Sequence, residues 1–267
     1  MKNILLLVHD DQGQEARLQV ALDLTRAFGG HLSCLDVTIL PALVGDYYGG
    51  ATGGAMLLAE ESDRETRNKA AIEARLAHED VSWDWQDVTG DVASSVIDAA
   101  SLADLIVLNR RLDDASYPDM RAIASRIVMH ARKPVVAVPE TRKHFAFNRA
   151  MIAWDGKASC AATLRASIPL LALADTVEIF MVRDGSEQTG AEEAAKYLSR
   201  HDIRASIHVI DDVSQPADQL IADECTAWRA DYVVMGAYNH PRIQQRLFGG
   251  VTRSMLKESR IPLFLSR

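Results

Sequence analysis

Two short runs decide the architecture: Ala103-Asp104-Leu105-Ile106-Val107-Leu108 and Ala230-Asp231-Tyr232-Val233-Val234-Met235, 127 residues apart. Each sets an Ala-Asp pair before four apolar or largely apolar residues, the length and texture of a strand buried on both faces. A second pair of runs, Lys133-Pro134-Val135-Val136-Ala137-Val138 and Ile261-Pro262-Leu263-Phe264-Leu265, repeats at 128. Nearer the start, Val8-His9 answers to Trp154-Asp155 at 146. The offset falls by about nineteen between the first and fourth strands, so the first half carries that many extra residues in between. The glycine-rich segment 45–54, GDYYGGATGG, and a longer helix after it account for them. The chain therefore reads as two copies of one domain, residues 1–144 and 145–267, joined across a polar, basic linker at 140–148.

Around these runs, short apolar segments alternate with longer amphipathic ones. In the first half strands are expected at 4–8, 32–40, 81–88, 105–108 and 135–138, and helices at 16–28, 56–78, 92–102 and 121–131. In the second half the strands are 151–154, 177–182, 203–210, 232–235 and 263–265. The helices are 161–174, with Pro169 as a kink or break, then 191–201, 217–229 and 251–259. Strands alternating with helices imply parallel pairing, which makes each domain an α/β, doubly wound, Rossmann-like parallel sheet.

Composition narrows the function. The 267 residues carry a net charge of −8, which disfavours sequence-independent binding to nucleic acid. The N-terminal apolar run spans only residues 4–8, short of a signal peptide. No stretch approaches the ~20 apolar residues of a membrane helix. A soluble, cytoplasmic protein is expected. Cys34, Cys160 and Cys225 form no CxxC pair and no metal-ligand spacing, and are expected to be small apolar core residues.

Chemistry concentrates in GAYNHPRIQQRLFGGVTRSML, residues 236–256. Gly236 leaves a strand, and Gly249-Gly250 enter a helix. In a doubly wound sheet both ends of such a loop face the crevice outside the carboxyl ends of the strands. A helix N-terminus there presents free N–H groups and the positive end of its dipole to an anion. Glycine lets the backbone approach, and Thr252 adds a hydroxyl. The loop is not a Walker A motif, and no GxGxxG follows a strand. The alternative is that these glycines serve only a tight strand exit and a helix cap.

The repeated α/β unit, the Asp155-Gly156 pair ending its first strand and this loop together resemble the universal stress protein family, as a tandem member. Its ATP-binding members show glycine, two residues, glycine, nine residues, glycine, then serine or threonine. Gly236 and Gly249 meet the first and third positions; Asn239 and Gly250 stand at the second and fourth. The resemblance implies a nucleotide site in the second half. Asp155 would bond the ribose or adenine. Val182 would offer backbone groups to adenine. Gly236, Tyr238, Asn239, Gly249, Gly250, Val251 and Thr252 would wrap ribose and phosphates. ATP would bring Mg²⁺; AMP and ADP are the variants. Trp154, where the family has a smaller residue, either stacks on adenine or crowds it.

In the first half Asn109, Leu112, Arg121 and Ala122 replace Gly236, Asn239, Gly249 and Gly250, and His9 replaces Asp155. Asp113 and Asp114 add repulsion toward phosphate. At most one nucleotide per chain is expected. The resemblance further implies that the two last strands pair within the chain, and that chains associate into a homodimer.

Other features read as structural. His9-Asp10-Asp11 are consecutive and diverge, so solvated loop residues are expected rather than a metal site. His201 and His208 lack partners at helical spacing. No nucleophile–base pair assembles, so no catalytic or metal residues are assigned. The leading expectation is an adenine-nucleotide-binding stress protein acting by binding. The alternatives are a stress-response interaction protein without nucleotide, or a slow ATP hydrolase.

Overall fold

In the computed structural model the structure describes residues 1–39, 50–109, 120–211, 215–237 and 250–267, with backbone alone at 50–58, 61 and 121. The first half runs β1 (Asn3–Val8), α1 (Gln14–Phe28), β2 (His31–Ile39), α2 (Gly50–Leu76), β3 (Ser82–Gly90), α3 (Val92–Ala99) with a 3-10 turn, β4 (Leu105–Asn109), α4 (Met120–His130) and β5 (Val135–Val138). The second repeats the order: β6 (Arg149–Ala153), α5 (Ala158–Leu171), β7 (Thr176–Val182), α6 (Ala191–Ser199), β8 (Ala205–Ile210), α7 (Ala217–Ala227), β9 (Tyr232–Gly236), α8 (Gly250–Glu258) and β10 (Leu263–Ser266).

These strands form one ten-stranded sheet, ordered β3-β2-β1-β4-β5-β10-β9-β6-β7-β8. Within each half all pairings are parallel. The halves meet where β10 runs antiparallel to β5, with Phe264 opposite Val136. Each half would otherwise leave a bare strand edge there, and the pairing covers both.

The repeat inferred from sequence is repeated atom by atom. Asp104 accepts the backbone N–H of Lys2 (2.6 Å) and Asn3 (3.0 Å). Asp231, 127 residues on, accepts that of Arg149 at 2.9 Å. Both Ala-Asp pairs thus anchor the start of the neighbouring strand, and burial of the four residues that follow sets the rest. His31 N–H to Lys2 O and Thr176 N–H to Asn148 O are a second matching pair.

Side chains alternate across the sheet because successive residues of a strand point to opposite faces. On β6, Ala150, Ile152 and Trp154 join the layer under α1, α2, α5 and α6, while Met151 and Ala153 join the layer under α3, α4, α7 and α8. Each fully buried Leu, Ile, Val or Phe contributes roughly 1.5–3 kcal/mol relative to exposure.

Three expectations are revised. Pro169 does not break its helix: it lies in the last turn of α5, which continues to Leu171. Residues 50–54 of the glycine-rich segment are helical, opening the 27-residue α2, whose counterpart α6 has 9 residues; residues 45–49 lie outside the described set. The linker is packed: Phe145 is 4% exposed, stacks on Phe147 and Tyr232 at centroid distances of 4.9 and 5.1 Å, and donates its N–H to Asp23. Among the described residues no helix is long and apolar enough to cross a membrane.

Candidate functional site

In each half the strand order reverses beside the first strand, so the switch point opens between the carboxyl ends of β6 and β9, and of β1 and β4. In the second half Asp155 follows β6 and Gly236 ends β9. The start of α5 lies against both. A Cβ on Gly236 would stand 2.6 Å from Cys160 N and 2.9 Å from Ser159 Oγ. The Cys160 thiol donates to Ala153 O at 3.2 Å, between Asp155 and Gly236. Gly236 is thus required by a close helix approach whether or not a ligand is bound.

Asp155 does not cap α5 in the ordinary sense. The N-cap is Lys157, without a side-chain bond, and the Asp155 carboxylate accepts Lys157 N–H at 2.9 Å in a turn ahead of the helix. Gly156 has φ 69°, and a Cβ there would meet Thr189 O at 2.5 Å. The stretch after β7 lies over this turn: Thr189 N–H bonds Gly156 O at 3.1 Å, and Trp154 Nε1 donates to Thr189 O at 2.9 Å. Trp154 is 4% exposed and belongs to the core under α5 and α6, so it anchors the segment over the turn. Val182 ends β7, with Arg183 N–H bonded to Ile210 O. Phe180 O faces β6, where it accepts Trp154 N–H, so by strand alternation the backbone groups of Val182 point the same way, beyond the end of β6.

Gly250, Val251 and Thr252 form the first turn of α8. Gly250 is exposed, with nothing near its Cβ position among the described residues, whereas Thr252 is 7% exposed. Tyr238, Asn239 and Gly249 lie outside the described residues. The structure thus brings Asp155, Val182 and Gly236 to one end of the sheet.

The matching strand end and helix entry in the first half are tied together by a buried arginine. Arg17 on α1 is fully buried; by the offset of 146 it answers to Thr163 on α5, also fully buried. Its guanidinium donates to Leu7 O (3.1 Å), to His9 O (2.9 Å) and to both Asp11 carboxylate oxygens (2.9 Å each). Asn109, in the place of Gly236, is 1% exposed. The small residue has changed sides, because a Cβ on Gly13 of the helix entry would lie 3.3 Å from Asn109 Cβ. Ala122 lies in the first turn of α4; Leu112, Asp113 and Asp114 are outside the described residues.

His9 and Asp11 are not solvated loop residues. His9 is 8% exposed, with Nδ1 2.9 Å from Glu65 Oε1 of α2. Asp36 on β2 is 3% exposed beside the same glutamate, and burial together with Glu65 pushes its carboxyl up to about 7. The His9 contact and Asn68 hold Glu65 below the ordinary value against its own burial. Sequence reading passed over Asp36 and Glu65. An acid inside the apolar run of β2 was the available signal. Burial pushes the Cys34, Cys160 and Cys225 thiols up to about 12, so none is poised as a thiolate nucleophile.

A second unforeseen group lies on the other face of the sheet: Glu178 of β7, His208 of β8 and Glu224 of α7. Again an acid interrupts an apolar strand, and its partners come from elements 30 and 46 residues away, beyond the reach of any local spacing rule.

The fold and the tandem switch points match known proteins. The model of the universal stress protein family matches residues 1–139 and 147–267, and the chain belongs to that family. The universal stress protein Slr1230 of Synechocystis is 22% identical, with both chains covered in full. The structure is similar to that of a universal stress protein from Archaeoglobus fulgidus (TM-score 0.78, 14% identity, covering 99% of this chain and 96% of that one). It is also similar to a protein of unknown function from Pseudomonas aeruginosa PAO1 (TM-score 0.62, 17% identity, covering 100% and 92%). At these identities the structural likeness speaks for the fold.

Proposed function

We propose that this chain is a stress-response protein that binds one adenine nucleotide, ATP with Mg²⁺ or its di- or monophosphate, in the crevice of its second half, and acts by binding. The observation that carries this reading is the asymmetry of the two switch points. In the first, a buried arginine and its three partners tie the strand end to the helix entry. In the second, Asp155, Val182 and Gly236 lie at one end of the sheet, position 163 holds a threonine where the first half has Arg17, and α8 begins with an exposed glycine whose helix N-terminus suits phosphate. Asp155 would fix the ribose, Val182 the adenine edge, and Gly236 with Tyr238, Asn239, Gly249, Gly250, Val251 and Thr252 the phosphates.

The test is the nucleotide content of protein purified without additions, followed by calorimetric titration with Mg-ATP. Micromolar binding, about −8 kcal/mol, is expected. It should be lost in Gly249→Arg, which installs the residue of the first half. Absence of both co-purified nucleotide and heat would overturn the reading. The second reading, an interaction protein without nucleotide, is favoured by Gly156 and Gly236, whose lack of side chains intramolecular packing already explains. Steady-state phosphate release with Mg-ATP separates a slow hydrolase from both.

A further inference from the structure

The Glu178–His208–Glu224 group stands apart from the crevice. Glu178 lies four residues before the end of β7, and its side chain shares the α7 face with Phe180. It is 6% exposed, and its Oε1 is buried without a hydrogen-bond partner among the described residues. A carboxylate oxygen in that position costs free energy unless a cation or donor meets it. Arg149, whose charge acts on Glu178 from a distance, donates Nε to Trp228 O at 2.8 Å and stacks over the Trp228 ring at 4.4 Å. The adjacent carboxylate of Glu224 adds like charge, and burial and that neighbour hold Glu178 above the ordinary glutamate value.

One ligand atom from each residue lies within 4.8 Å of the others. His208 Nδ1 and Glu224 Oε2 are 3.3 Å apart. That equals the edge of a tetrahedron with metal–ligand bonds of ~2.0–2.1 Å, about 3.3–3.4 Å. A carboxylate oxygen of the buried Glu178 belongs to the same cluster. The His208 side chain is 44% exposed on the outermost strand, which provides an entry path, and its ring is held edge-on to Phe180 at 5.3 Å.

From this geometry we propose that Glu178, His208 and Glu224 form a binding site for a first-row divalent transition metal, with Zn²⁺ the best match. One imidazole and two carboxylates exclude a soft thiolate-type site. The imidazole favours zinc over calcium or magnesium, which take all-oxygen shells. Three protein ligands leave a fourth position on the solvent side for water or a small anion. The metal would join β7, β8 and α7, drawing the sheet edge to its covering helix. In the first half, sheet register puts Ser33 and Gln86 where Glu178 and His208 stand.

The test uses tag-free full-length protein stripped with chelator, titrated with Zn²⁺ by calorimetry and with Co²⁺ by visible absorption. One equivalent is expected to bind, with the strong visible bands of tetrahedral cobalt. Affinity should fall at least tenfold in Glu178→Gln and in His208→Ala, and stay unchanged in His201→Ala. Far-UV circular dichroism checks folding. His208→Ala, on an exposed edge, decides the matter if Glu178→Gln does not fold. No zinc binding by the unmodified chain, or equal binding in His208→Ala, overturns the site. Mg-ATP affinity is a separate measurement, so this outcome and that of the nucleotide reading are independent.

Discussion

Position 17 is an arginine; its counterpart in the second half, position 163, is a threonine. Both are fully buried in the helix after the first strand, both face the switch point, and their surroundings are wholly different. Arg17 reaches back to Leu7 O, His9 O and Asp11 and ties the strand end to the helix entry. Thr163 has one hydroxyl proton to donate, with Ser159 O at 2.8 Å and Ser266 O at 2.9 Å as its acceptors, both away from the β6–α5 turn. The comparison teaches that a duplicated fold keeps its strand anchors, Asp104 and Asp231, and lets the switch point diverge. One copy has become a polar core, braced further by the long α2 through Glu65 and Asn68. The other retains an end of the sheet where Asp155 and Gly236 meet.

Breaking the first copy gives the largest expected effect. Arg17→Met takes the cation from the Asp11 carboxylate and a donor from each of Leu7 O and His9 O, and should lower unfolding free energy by about 3–5 kcal/mol in urea melts. Thr163→Val removes a neutral hydroxyl and should cost about 1 kcal/mol. Equal losses would mean that the two switch points are mechanically alike.

Next comes pH. In the folded chain Asp36 titrates near 7, well above its unfolded value. The folded state therefore holds a proton that the unfolded chain has released, and stability falls as pH rises from about 4 to 7. Glu178, also raised, adds a decline of the same sign, whereas lowered Glu65 acts oppositely, at acid pH. Asp36→Asn should flatten the decline by about 1–3 kcal/mol, followed by thermal melts between pH 5 and 8. An unchanged slope would remove Asp36 from the account.

The glycines sharpen the comparison. Gly236→Ala forces a Cβ onto Cys160 N and should destabilise by about 1–3 kcal/mol. Gly250→Ala meets no atom of the described residues and has a helical backbone, and should stabilise by about 0.5–1 kcal/mol. If Gly250→Ala nonetheless abolishes Mg-ATP binding in calorimetry, that glycine serves a ligand.

The smallest effect is expected at the shared anchors. Asp104→Asn weakens two charge-assisted bonds and Asp231→Asn one, at part-exposed sites. Losses of about 1 and 0.5 kcal/mol are expected. The two N–H donors hold the Asp104 carboxyl below its ordinary value, so its contribution should vanish as pH falls below about 4.

Sequence alone determined the duplicated α/β units, the strand and helix order, and the residue differences between the two switch points. Those follow from local periodicity and from residue identity at matched offsets, which a linear reading captures. The placement of Val182 and Gly236 at strand ends, and of Asp155 just past β6, was legible for the same reason. Tertiary structure alone decided that His9 is buried, that Arg17 ties the first strand end to its helix, and that Gly236 is demanded by Cys160. It alone brought Glu178, His208 and Glu224 together. Those facts depend on which helix covers which strand and how closely. Charged side chains from distant elements meet only when the sheet is assembled, and no spacing along the chain encodes the distance between a strand and the helix that packs across it.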